Sequence, residues 1–384
     1  MKTANSVFEG QGTTIFTVMS SLAAEYDAIN LGQGFPDEDG PIEVREAAAK
    51  ALRDGPNQYP PMMGLPQVRQ TVADHHKRFY GLEVDWRSEV MITSGATEAL
   101  ADCFLGLLND GDEAVILEPA YDSYRPMIER AGATAIAVRL EPPAWELPVQ
   151  ALRDAISEKT KLIVVNTPMN PIGKVFTKKE LSEIAAAAID CDAYVICDEV
   201  YEHLVFDGRR HFPLIQFPGM RDRTARIGSA GKTFSLTGWK VGYVTAAPGL
   251  MGILSKAHQF NTFTTPPALQ LGTATGLQLS DAYFHDLAAD LQQKRDVLAQ
   301  GLAEIGFEVL EAEGTYFLSA SYAPLNLDGT AFEVCERLTK EAKVATIPMG
   351  AFYENGDGGT VLRFCFSKQD EVLHEAIVRL RNVL

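Results

Sequence analysis

Cysteine is scarce in this 384-residue chain: Cys103, Cys191, Cys197, Cys335 and Cys365 make an odd set with no C-x-x-C spacing. A disulfide framework and a cysteine zinc site are therefore not expected. Most of the five fall in apolar runs, where free buried thiols are expected, and a cytoplasmic location suits them. No apolar run approaches the ~18 residues of a membrane-crossing helix. Met1 to Gly12 lack the apolar stretch of a secretory leader. Positive charge is short too, since 34 Lys and Arg against 51 Asp and Glu leave −17. With no basic tract to neutralise phosphates, neither a nucleic acid nor an anionic membrane is an expected partner; an anionic small molecule still fits a local positive site. The seven histidines show no H-E-x-x-H or similar spacing, so no metal is expected. His75 and His76 lie in a helical pattern marked by Val68, Val72 and Phe79, and a boundary or solvent-facing place is expected for them. Repeats and low-complexity segments are absent.

What is present is a globular balance, 46% hydrophobic and 22% charged, with length for one or two domains. Short apolar runs alternate with helical stretches through the middle of the chain. The strand candidates are Val90–Thr93, Glu113–Leu117, Thr134–Val138, Leu162–Asn166, Tyr194–Asp198, Ala225–Gly228 and Val241–Thr245. Several are near-continuous in Val, Ile and Leu, as in strands buried on both faces. Thr177 and Glu180 form a capping box for a helix running to Ile189. This alternation predicts an α/β fold with a mostly parallel sheet, whose ligands sit at the carboxyl ends of the strands. The C-terminal part reads as α+β: helical Tyr283–Ile305, strand-like Tyr316–Ala320 and Val361–Phe366, then helical Asp370–Leu384. Pro266-Pro267 makes a break before it.

Polar residues and glycines cluster just after these strands. Ser94-Gly95-Ala96-Thr97-Glu98 opens an apolar helix; it reads equally as a capped helix or as an anion site made by free N–H groups and the helix dipole. Asn166-Thr167-Pro168-Met169-Asn170-Pro171-Ile172-Gly173 by itself is a structural turn. Asp198 closes a buried strand and needs a cationic partner, from a structural ion pair or from a ligand. In Gly228-Ser229-Ala230-Gly231-Lys232-Thr233, with Gly238-Trp239-Lys240, two lysines flank small residues. A P-loop would need glycine where Arg226 stands. A serine–lysine acyl-transfer site would need companion S-D-N and K-T-G motifs that are missing. Gly32-Gln33-Gly34 lacks the third glycine and the preceding strand of a dinucleotide fingerprint.

Taken in order, the blocks Asn30–Asp37, Asn57–Tyr59, Ser94–Leu100, Glu118–Tyr124, Asn166–Gly173, Asp198–Tyr201, Gly228–Thr233 with Gly238–Lys240, and Arg363–Ser367 span nearly the whole chain. In them the sequence resembles the class I aminotransferases of pyridoxal-phosphate (PLP) fold type I, in particular the branch of kynurenine, glutamine and methionine aminotransferases. The resemblance implies a large PLP-binding domain over residues 36–278 with a seven-stranded sheet between helices. It also implies a smaller α+β domain over 279–384, joined by an N-terminal arm over 1–35.

By the same resemblance Lys232 carries the cofactor as a Schiff base and shuttles the substrate proton, its amine made neutral by burial. Asp198 pairs with the ring nitrogen, Tyr201 and Asn170 bond the ring hydroxyl, and Tyr121 stacks on the ring. Ala96, Thr97, Ser229 and Lys240 hold the phosphate; Lys240 stands where many relatives have Arg. Tyr59 reaches the phosphate of a neighbouring subunit, which implies a homodimer with shared sites. Arg363 binds the substrate carboxylate, helped by Asn170 and the backbone near Gly34. Ile15, Phe16, Tyr59, Phe263 and Phe352 are the expected substrate wall. It suits Met, Phe, Tyr, Gln or kynurenine better than Asp. Thr264 stands where kynurenine-type relatives have histidine, which counts against kynurenine. The expected activity is transamination of a neutral, sulfur-containing or aromatic L-amino acid with a 2-oxo acid. Cysteine-conjugate β-elimination is the alternative within the same chemistry. A non-catalytic ligand-binding module is the alternative outside it, and Lys232, Asp198 and Arg363 argue against that.

Overall fold

A computed structural model of the chain describes residues 2–384. Seven strands form the main sheet: β1 (Val90–Thr93), β2 (Glu113–Glu118), β3 (Thr134–Arg139), β4 (Thr160–Asn166), β5 (Tyr194–Asp198), β6 (Thr224–Ser229) and β7 (Gly242–Thr245). Their order across the sheet is β1-β7-β6-β5-β4-β2-β3. All pairs are parallel except those of β7, which runs against both β1 and β6. Every residue of β1 and β6 is buried, and so are the last four of β5, as their unbroken apolar character predicts.

Helices cover the faces. The ones that bear on the site are α1 (Gly95–Leu107), α2 (Lys178–Asp190) and α3 (Pro248–Asn261). The capping box at the start of α2 forms, with Thr177 Oγ1 accepting from Glu180 N and Glu180 Oε2 from Thr177 N. Beyond them come the long helix α4 (Asp281–Ile305), a four-stranded antiparallel sheet and the closing helix α5 (Asp370–Val383). That sheet holds β8 (Glu308–Val309), β9 (Phe317–Ser321), β10 (Ile347–Pro348) and β11 (Val361–Cys365), in the order β10-β11-β9-β8. Ile29–Asn30 pairs with Val344–Ala345, tying the N-terminal segment to the C-terminal part. No helix among the described residues is long and apolar enough to cross a membrane.

The expectation for His75 and His76 is overturned: both are buried. They belong to a polar cluster beneath the sheet, centred on the fully buried Arg226. Its Nε donates to Glu199 Oε2 at 2.6 Å, Nη2 bonds Glu202, and Nη1 lies 2.9 Å from His76 Nδ1. His75 Nε2 faces His203 Nε2 at 2.8 Å. Burial first, then Arg226, holds His76 well below its ordinary pKa, so it stays neutral beside the guanidinium. Periodicity alone could not find this, because a helix face that packs on a buried ion pair has the same spacing as one that meets water. Glu199 lies within the Asp198–Tyr201 turn and Glu202 directly follows it, so the cluster also braces the site. Arg226→Met should cost roughly 3–5 kcal/mol by leaving two carboxylates buried without a cation. A urea midpoint equal to that of the parent protein would contradict this role.

Candidate active site

The carboxyl edge of the main sheet gathers the loops after β1, β2, β4, β5 and β6 around one cavity of about 750 Å³. Ala96, Thr97, Tyr121, Asn170, Asp198, Tyr201, Ser229, Lys232 and Lys240 all line it.

One end of the cavity is built for an anion. Helix α1 starts there, at Gly95 with φ +75°. Its first-turn N–H groups have no acceptor within the helix, and its positive dipole end faces the cavity. A Cβ on Gly95 would meet Lys240 Cε at 3.2 Å, and one on Gly242 of β7 would meet the Gly95 carbonyl carbon at 2.6 Å. Glycine at both positions lets β7, Lys240 and the helix start converge. Lys240 Nζ lies 3.3 Å from Thr97 Oγ1. Partial burial and then the charge of Lys232 push the Lys240 pKa down, a penalty that an anion held between the two amines removes.

The other end holds a carboxylate with no directly bonded cation among the described residues. Asp198 is buried; Tyr124 Oη donates to its Oδ2 at 2.6 Å and Val200 N to its Oδ1 at 3.4 Å. Burial raises its pKa, opposed by these hydrogen bonds and by the charge on Lys232. A heteroaromatic N–H⁺ is the kind of partner this position lacks. Behind it, Asn166 Nδ2 donates to the Asp198 carbonyl and Asn166 Oδ1 accepts from Asn170 N, locking the β4 and β5 loops together.

Lys232 lies between these poles. Its Nζ donates to Tyr316 Oη at 2.8 Å, and that hydroxyl donates to the Gly34 carbonyl at 2.9 Å. The Tyr201 ring centre is 5.6 Å from Nζ. The expectation of an amine neutralised by burial fails for the chain by itself. Burial does lower the pKa, but Tyr316, Tyr121 and Asp198 outweigh it and leave the amine above its ordinary value. A neutral amine therefore needs a cationic or carbonyl group to enter the cavity.

Arg363, on β11, is 1% exposed and lies next to the cavity rather than in its wall. Nη1 donates to Asn170 Oδ1 at 3.0 Å and Nη2 to the Gly32 carbonyl at 2.7 Å, while the buried Nε has no partner among the described residues. Three rings enclose the guanidinium, Phe317 at 4.0 Å, Phe352 at 4.9 Å and Phe16 at 5.2 Å. Burial pushes its pKa down to about 10, which keeps it charged at neutral pH. Gly34 touches this group because it has no side chain: a Cβ there would lie 2.5 Å from the Phe317 ring.

The structure divides the expected substrate wall. Phe16 and Phe352 pack edge-to-face beside Arg363. Ile15 opens onto a different groove, alongside Gly350 and Thr360. Tyr59 is 82% exposed and packs on Phe263 outside this chain's own cavity, in a groove shared with Thr264. Two residues at the core of the site, Tyr124 and Tyr316, were not singled out from sequence. Tyr124 ends the Glu118–Tyr124 block and Tyr316 opens a strand candidate, but only the fold brings either against a carboxylate or an amine.

A sequence profile for the family "Aminotransferase class I and II" matches residues 26–380. The solved N-succinyldiaminopimelate aminotransferase from Mycobacterium tuberculosis superposes with a TM-score of 0.97 at 42% identity, covering 100% of both chains. The methionine aminotransferase of Escherichia coli K12 is 39% identical over 373 residues, 97% of this chain and 96% of that protein. Kynurenine–oxoglutarate transaminase 3 of Bos taurus is 35% identical over 398 residues, 96% of this chain and 88% of that one.

Proposed function

Because the chain belongs to the class I and II aminotransferase family, whose cofactor is PLP, we propose that it moves the amino group of a neutral, sulfur-containing or aromatic L-amino acid to a 2-oxo acid. Bound PLP supplies the carbonyl that takes the amino group and a ring that withdraws electrons from the substrate Cα. The residues of the chain do the rest. The start of α1, Thr97, Ser229 and Lys240 hold the phosphate, and Asp198, fixed by Tyr124, keeps a proton on the ring nitrogen. Tyr201 and Asn170 bond the ring hydroxyl. Lys232 would anchor the cofactor, and its amine, when free, would be the base for the proton on the substrate Cα. Tyr316 fixes the position of Nζ through its hydroxyl.

The observation that carries the reading is the Arg363 group: a buried guanidinium with one unpartnered nitrogen, walled by phenylalanines. A substrate α-carboxylate satisfies the nitrogen, and an apolar side chain suits the wall. On the domain division taken from the sequence, Lys232 belongs to the large domain and Tyr316 and Arg363 to the small one, so the substrate bridges the two. In this reading Tyr59 serves the phosphate of a second copy, and its exposure next to Phe263 fits a surface that another chain covers.

The likeness to the N-succinyldiaminopimelate enzyme favours a second reading, an acylated diamino acid as donor. A panel of methionine, phenylalanine, tyrosine, glutamine, kynurenine, aspartate and N-succinyldiaminopimelate against several oxo acids separates the two. Methionine or an aromatic donor should exceed aspartate in kcat/KM by roughly tenfold or more, the discrimination an apolar pocket provides. Turnover confined to N-succinyldiaminopimelate would replace the first reading with the second. Pyruvate released from a cysteine conjugate without an acceptor would mark β-elimination.

A further inference from the structure

One buried cluster has no part in the chemistry above, although it adjoins the anion end of the cavity. Glu98 lies in the first turn of α1, and its Oε2 bonds the backbone N–H of Ser94, just before that helix. A carboxylate there stabilises the helix but opposes an anion held by the same turn. His258, fully buried on α3, faces it: Nδ1 is 2.7 Å from Glu98 Oε1 and 3.6 Å from Asp102 Oδ2, one helical turn further along α1. The other ring nitrogen, Nε2, is 2.9 Å from the Met62 carbonyl. Both nitrogens therefore face acceptors, and only the doubly protonated ring can donate to both. The two carboxylates push the His258 pKa up to about 10 against its burial, in keeping with that geometry. Asp102 is also held by Asn261, whose Nδ2 donates to its Oδ1 at 3.2 Å. Met62, itself half-buried, lies three residues beyond the exposed Tyr59.

We propose that His258 is a positioning residue for the cofactor phosphate: its imidazolium neutralises Glu98 at the start of α1 and ties that turn to the Met62 segment carrying Tyr59. The inference rests on the reading that places the phosphate at α1. One side chain thus adjusts the charge of the phosphate cradle and fixes the strand of chain offered to a second copy.

The test is cofactor release from the holoenzyme, reconstituted with PLP or with pyridoxal, which has no phosphate. His258→Gln leaves Glu98 uncompensated and should weaken PLP binding on the order of tenfold, the effect of one charge several ångströms away at an effective dielectric of about 20. Pyridoxal binding should change little. The double variant Glu98→Gln with His258→Gln restores a neutral pair and should regain most of the loss, which a purely structural role would not do. The inference is overturned if His258→Gln holds PLP as tightly as the parent, if it loses PLP and pyridoxal equally, or if the double variant does not recover. Lys240→Met serves as the control. If it too leaves the preference for PLP over pyridoxal unchanged, the phosphate assignment itself has failed; if it abolishes that preference while His258→Gln does not, only the role of His258 has.

Discussion

Lys232→Ala should abolish covalent attachment of PLP and lower transamination by about 10⁴-fold, the upper end of what a positioned acid–base group contributes. Among the described residues, two lysines line the cavity: Lys232 lies between the Asp198 end and the helix start, and Lys240 belongs to the anion end. Two readouts check this. The visible absorbance that borohydride traps on the parent protein should vanish from the variant, and the residual rate should not recover at saturating substrate. Added methylamine should restore a fraction of the rate, since it can enter the space left by the side chain. A variant with unchanged absorbance and rate would remove Lys232 from the mechanism.

Arg363→Lys should lower kcat/KM for amino acids by about 10²-fold, chiefly through KM, while leaving the PLP absorbance in place. Two charge-assisted hydrogen bonds to a carboxylate are worth roughly 1.5–3 kcal/mol each, and an ammonium cannot reproduce the planar fork. The geometry makes the substitution severe. Asn170 and the Gly32 carbonyl hold the guanidinium in one orientation, and the rings of Phe16, Phe317 and Phe352 enclose it. Burial lowers the Arg363 pKa but leaves the guanidinium charged, so substrate affinity should not change through Arg363 across the neutral range. An unchanged KM in Arg363→Lys would place the carboxylate elsewhere.

Most of the main sheet was legible because its strands are buried on both faces and stand apart as apolar runs. Val90–Thr93 and Tyr194–Asp198 match the structure residue for residue. Other boundaries shift by a residue or two where polar ends join the ladder, as at Thr160 and Ser229. The reversal of β7 was not legible, since strand direction leaves no mark on composition. The residues that line the cavity were legible for a related reason. In such a sheet the chemistry falls at or just after the strand ends: Asp198 closes a strand, and Ala96, Asn170 and Lys232 each follow one.

The partners of those residues were not legible in this way. Tyr124 and Tyr316 read as ordinary aromatic residues, and their hydroxyls acquire a role only where long-range packing places them 2.6 Å from Asp198 and 2.8 Å from Lys232. His75, His76 and His258 look alike in helical patterns. Burial against Arg226 makes His76 neutral, whereas burial against Glu98 and Asp102 makes His258 a cation. By itself the sequence determined the fold class, the family and the residues that follow the strands, because local spacing and chemistry are written in the chain. The tertiary structure alone decided the charge state of Lys232, the aromatic enclosure of Arg363 and the exposure of Tyr59. Each of these depends on which distant side chains share a low-dielectric space, and no spacing along the chain encodes that.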